Sequence, residues 1–196
     1  MQEPGSDEPQ EDISAKKSTA ADMLSPAARG FIKDYWEQAK FILLHPQEFF
    51  KTMPVEGGYR DPLIFLCLSA GVNALLSGII GFSLMRILLF PLSFVGVTLG
   101  AYVASFLAQA MGGKGSFQAT FRVMVYSEAA LLFTWVPVLG IFPGLYIFVL
   151  NFFGLRQVHG ISDVKTVSVV LLSGIVSSII IGLAACGVFI RSVFHI

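Results

Sequence analysis

Residues 62–111 read PLIFLCLSAGVNALLSGIIGFSLMRILLFPLSFVGVTLGAYVASFLAQAM, with Arg86 as the one formal charge in the run. A bilayer core about 30 Å thick is crossed by roughly 20 helical residues, and the stretches on either side of Arg86 each reach that length. The pattern continues downstream: from Pro62 to Ile196 the only charges are Arg86, Lys114, Arg122, Glu128, Arg156, Asp163, Lys165 and Arg191. The apolar runs between them predict an all-α polytopic membrane protein, a five-helix transmembrane bundle over residues 62–196. Its segments are expected near 63–85, 87–111, 123–139, 141–157 and 166–190. Composition agrees, with 13% charged residues and a mean hydropathy of +0.73, whereas a soluble domain carries about 25% charged residues.

The third and fourth segments share the 37 residues from Arg122 to Val158. That is about 55 Å of helix for two crossings that need about 60 Å. Trp135, Pro137, Gly140, Pro143 and Gly144 crowd the turn between them. Two thin crossings, a pair of short helices and a re-entrant element covered by its neighbours all fit this count.

Upstream of the membrane segments the chemistry changes. Residues 1–24 carry Glu3, Asp7, Glu8, Glu11, Asp12 and Asp22 among Pro, Ser and Gly. They read as a disordered acidic tail, too poor in apolar surface to offset its ordering entropy, and they lack the basic start and apolar centre of a signal peptide. Ser25 before Pro26 is an N-cap followed by a first-turn proline, which predicts a helix start. Phe31, Ile32, Tyr35, Trp36, Ala39, Ile42 and Leu43 then fall within an arc of about 140° on the helical wheel, opposite Lys33, Asp34, Glu37 and Lys40. The helix should end near His45, because the residue before Pro46 disfavours helical geometry, and a short helix with Phe49 and Phe50 should follow. Residues 25–61 are thus an amphipathic cytosolic helix and a short helix. Phe31, Ile32, Tyr35, Trp36, Phe49 and Phe50 are the candidates for contact with a partner or the membrane interface.

Orientation follows from basic residues flanking the crossings. With the N-terminus inside, the cytoplasmic segments hold Arg29, Lys33, Lys40, Lys51, Arg60, Lys114, Arg122, Arg156 and Lys165, and the outside holds Arg86 and Arg191. A cytoplasmic N-terminus and an outside C-terminus, with His195, are expected. Small residues recur every four positions as Gly96, Gly100, Ala104 and Ala108, as Gly174, Ser178, Gly182 and Cys186, and as Ala70, Ala74 and Gly78. Such stripes let helices approach closely in lipid, within one bundle or across a homo-oligomer seam. Cys67 and Cys186 sit in separate apolar runs at different depths, so no disulfide is expected between them.

Three pieces in order carry a family resemblance: HPQEFFKTMPVEGGYRDPLIF from His45, then GGKGSFQATFRVMVYSEAALLFTWVPVLG, then GLRQVHGIS ahead of a last apolar helix. The chain resembles the Yip-one domain family of Ypt/Rab-interacting membrane proteins over about residues 40–190. The resemblance implies five transmembrane helices and a cytosolic N-terminus. Eukaryotic relatives act in vesicle traffic and associate with Rab-type GTPases. The Asp-Leu-Tyr-Gly-Pro motif of that branch is absent here, Tyr59-Arg60-Asp61-Pro62 being a faint echo, so the likeness is to the prokaryotic branch and implies the bacterial inner membrane.

Catalytic patterns are missing from the sequence. Gly112-Gly113-Lys114-Gly115-Ser116 has the wrong spacing for a phosphate loop and reads as a flexible connection. His45, His159 and His195 have no Cys or carboxylate cluster near them in sequence, so no metal, cofactor or enzymatic activity is expected. Low basicity argues against nucleic acid. Glu128 stands out, because an ionisable group inside a membrane helix costs several kcal/mol unless protonated, paired or hydrated. Counted from Arg122 it lies about 9 Å into the third segment, with Asn151 and Arg156 as expected partners and Asn73 near mid-membrane. These four are the ligand or ion candidates. The expected role is an adaptor or scaffold of membrane-organising or trafficking type, binding a protein at the cytoplasmic face among membrane lipids. The alternative is a passive transporter, channel or lipid-translocating protein that uses the polar cluster around Glu128.

Overall fold

The computed structural model describes residues 26–81, 90–136 and 141–194, with side chains from residue 30 to residue 183 within those stretches. The acidic tail, Arg86, Pro137, Gly140 and His195, and the side chains of Cys186 and Arg191, lie outside the described residues. Every regular element among the described residues is helical. The chain divides into two compact units, Met1–Gln38 and Ala39–Ile196. Helix α1 (Pro26–Leu44) runs through the division.

In the second unit, α2 (Pro46–Thr52) leads to α3 (Arg60–Ile80), α4 (Phe90–Ala110), α5 (Phe117–Ser127), a 3-10 helix (Glu128–Phe133), α6 (Ile141–His159) and α7 (Asp163–Phe194). Among the described residues, four helices are long and apolar enough to cross a membrane: Arg60–Ile80, Phe90–Ala110, Ile141–His159 and Asp163–Leu183 within α7. Leu75, Ile79, Tyr102, Phe106, Leu145 and Leu183 point outward and are exposed. Water would disfavour that surface, whereas lipid tails do not. The protein is an integral membrane protein built as a helical bundle.

The third segment differs from the four long ones. Ser116 caps α5, its hydroxyl accepting from the Ala119 amide at 3.2 Å, so the helix begins at Phe117 rather than near Val123. After Ser127 the backbone tightens into the 3-10 helix. A 3-10 turn rises about 2.0 Å per residue against 1.5 Å for an α-helix, so Phe117–Phe133 extends about 28 Å, close to the bilayer core. Uncoiling thereby relieves the shortage of residues in this hairpin. The irregular backbone is tolerated because α5 sits centrally, against α3, α4 and α6, with eight of its 11 residues buried and little of it left to face lipid.

Two sets of small residues behave differently. Gly100, Ala104 and Ala108 of α4 are buried, and a Cβ at Gly100 would meet Met124 at 3.7 Å and Ser177 at 3.8 Å. Gly96 faces Ile181 across the same seam at 3.5 Å. In α7, by contrast, a Cβ at Gly174 or Gly182 would meet nothing within 4 Å, and Ser178 is exposed. Packing of that stripe within the bundle is corrected: α7 buries Thr166, Val169, Val170, Ser173 and Ser177 there instead. That face spans turns at the same 3–4 spacing, one position away, and combines β-branched with small side chains.

Candidate functional site

One end of the bundle is closed by interlocked loops. Gly57 and Gly58 adopt φ of +113° and +82°, backbone open to glycine, and turn the α2–α3 loop so that the Gly58 carbonyl accepts from Arg122 Nη2 at 2.7 Å. Arg122 is 2% exposed; its stem runs through the core while its charge reaches the loop. His159 ends α6 buried, its Nε2 2.8 Å from Thr120 Oγ1, and Thr120 Oγ1 also donates to the Ser116 carbonyl at 3.0 Å. A threonine hydroxyl has one proton, so His159 Nε2 is the donor in this arrangement.

The Gly112-Gly113-Lys114-Gly115-Ser116 connection is packed, contrary to the slack loop expected. A Cβ at Gly113 would lie 2.7 Å from His159 Nδ1 and 2.8 Å from the Ala108 carbonyl, and one at Gly115 2.5 Å from Val158 Cγ1. The Lys114 amide donates to the His159 carbonyl at 3.2 Å. Lys165 Nζ donates to the Met111 carbonyl at 2.7 Å, a cation at the C-terminal end of α4, where the helix dipole favours it.

Phe49 and Phe50, expected at an interface, are core residues, 7% and 2% exposed. Phe49 stacks edge-on against Tyr126 at 5.3 Å. Phe50 reaches α6 where Gly154 leaves room, since a Cβ there would overlap Val123 and stand 3.1 Å from Phe50 Cδ1. In the first unit, Phe31, Ile32 and Trp36 are exposed, at 48%, 50% and 45%, and Tyr35 is half-buried.

Arg156 is not a partner of Glu128. Its Nε pairs with Asp163 Oδ1 at 2.7 Å, with both side chains more than half exposed. The other three candidates line one cavity of about 740 Å³ together with residues from all five segments. With α5 starting at Phe117, Glu128 lies about 17 Å along its segment, farther from the segment's start than the count from Arg122 implied. Asn73 Oδ1 accepts from Ser77 at 3.1 Å and from Thr134 at 2.9 Å, tying α3 to the end of the 3-10 helix. Asn151 Oδ1 and Ser177 Oγ are buried without a hydrogen-bond partner among the described residues.

In sequence His159 is an isolated histidine and Thr134 carries no signal of its own. Arg122 reads as a flanking charge because hydropathy places the start of the third segment six residues after Phe117. The Ser173/Ser177 pair was legible as an i, i+4 polar face but was overshadowed by the adjacent Gly174/Ser178 stripe. Among the described residues, no group of three His, Cys, Asp or Glu is arranged to hold a metal ion.

Fold and site define a polytopic α-helical membrane protein with a loop-closed end and a polar cavity inside its bundle. The Yip1 domain model matches residues 40–186, and the chain belongs to the Yip1 domain family. The loops that close the bundle are the segments that carry the sequence resemblance. No curated protein and no solved structure matches the chain.

Proposed function

We propose that this protein acts by binding rather than catalysis, as a membrane-organising adaptor or scaffold of trafficking type whose cytoplasmic face receives a protein partner. The observation that carries the reading is the exposed apolar face of Phe31, Ile32 and Trp36. Large apolar groups left exposed in a contiguous patch mark an interaction surface. The excess of Lys and Arg in these loops supports a cytoplasmic assignment for this end, in a bacterial inner membrane, with membrane lipids around the bundle.

Crosslinking and co-purification from native membranes test the reading. The double variant Phe31→Ser/Trp36→Ser should insert and fold like the parent yet lose the crosslinked protein. Unchanged recovery would remove this face from the function. For orientation, single cysteines at Ser116 and Ser162 in a Cys67→Ser/Cys186→Ser background should react only from the cytoplasmic side. Reaction from outside would invert the topology.

A further inference from the structure

The cavity between the five segments has two properties that select a ligand. The first is charge. Glu128 lines it, and no Lys, Arg or His is among its lining residues. Glu128 has no hydrogen-bond or ion-pair partner among the described residues, and the cation expected to neutralise it, Arg156, is engaged by Asp163. An ionised carboxylate inside a membrane helix is costly without a counter-charge, and among the described residues no cation lines the cavity. Asn151 Oδ1 and Ser177 Oγ, each 7% exposed as residues, add buried oxygens with unused hydrogen-bonding capacity. The set suits a positively charged group that donates hydrogen bonds, and it disfavours phosphate or carboxylate.

The second property is size and lining. About 740 Å³ lies within the range of roughly 300–1,000 Å³ typical of organic-ligand sites and is far more than a bare ion fills. Besides Glu128 the wall includes apolar Phe90, Val97, Met124, Ile147 and Ile181. Gly174 and Ser178 line the cavity yet are exposed, beside outward-facing Ile175 and Ile179, so it communicates with the lipid-facing side of α7. We infer that this cavity binds an amphiphile with a primary-ammonium head, the head against Glu128, Asn151 and Ser177 and the chain along the apolar wall. The inference stands independently of the adaptor reading.

The test is a titration of the intact chain, in a neutral maltoside, with decylamine below its micellar concentration, followed by thermal unfolding. Decylamine should raise Tm saturably, and decyl phosphate should not. Glu128→Gln should weaken the decylamine response by about tenfold or more, equivalent to the loss of at least about 1.4 kcal/mol. Gly174→Leu offers a second variant in case Glu128→Gln misfolds, because the added Cβ meets open space while the rest of the side chain occupies the cavity; it should abolish the response. Arg156→Gln, outside the cavity, should leave it unchanged. Equal responses to decylamine and decyl phosphate, an undiminished response in folded Glu128→Gln or Gly174→Leu, or a saturable response to sodium chloride alone would each overturn the proposal.

Discussion

The loop-closed end and the middle of the bundle use the same residue types to opposite effect. At the closed end glycines are where other groups must pass: Gly154 admits Val123 and Phe50, and Gly113 and Gly115 admit His159 and Val158. Polar side chains there reach across loops, Arg122 to Gly58 and His159 to Thr120, although Arg122 Nε and His159 Nδ1 are themselves buried without a partner among the described residues. Mid-bundle, Gly174 borders open space, and Glu128, Asn151 and Ser177 surround a void with unused hydrogen-bonding capacity. A group that costs free energy when buried unpaired is expected where a ligand completes it. The two regions differ in space: at the closed end side chains fill the room the glycines leave, and mid-bundle a cavity remains.

The largest expected effect tests the closed end. Gly154→Ala drives a methyl into Val123, which is fully buried, so the Val123 side chain or the backbone must shift; overpacking of this kind costs about 1–3 kcal/mol, and the upper end is expected as a lowered Tm in detergent. Arg122→Gln follows, removing a charge-assisted bond worth about 1.5–3 kcal/mol and releasing the Gly57–Gly58 loop, which limited proteolysis should cut sooner. Next comes a paired test of the two small stripes. Gly100→Leu crowds Met124 and Ser177 and should cost about 1–2 kcal/mol, while Gly182→Leu, with nothing within 4 Å of its Cβ, should leave Tm almost unchanged. Equal effects at Gly100 and Gly182 would erase the distinction between the packed face of α4 and the open face of α7.

Much of this arrangement is legible in the sequence, and the remainder is missing for identifiable reasons. Long runs such as Leu63 to Ile80 announce their helices because lipid demands continuous apolar character. The third segment was less legible, since its register depends on one capping hydroxyl, Ser116, and its length on a switch to 3-10 geometry at Glu128, neither of which hydropathy reports. Phe49 and Phe50 look like interface aromatics in sequence. Their burial depends on a glycine about a hundred positions away, Gly154. The pairing of Glu128 with Arg156 followed from depth alone, whereas Asp163, at the next helix start, is the nearer carboxylate in space. Polar residues at Asn73, Glu128 and Asn151 were visible one at a time; that they border one cavity depends on how α3, α5 and α6 pack.

The central claim is that the mid-bundle cavity is an acidic, cation-selecting space, and charge-selective thiol modification tests it directly. Ser177→Cys in a Cys67→Ser/Cys186→Ser background, in neutral detergent, presents a thiol at the cavity wall. Its reaction rate with aminoethyl methanethiosulfonate, relative to sulfonatoethyl methanethiosulfonate, is compared with the same ratio at exposed Ser162→Cys. A carboxylate in a low-dielectric cleft raises the local concentration of cations by about tenfold or more, so the ratio at position 177 should exceed that at position 162 by about this factor and fall to the reference when Glu128→Gln is added. Equal ratios at the two positions, or a preference that survives Glu128→Gln, would contradict the account.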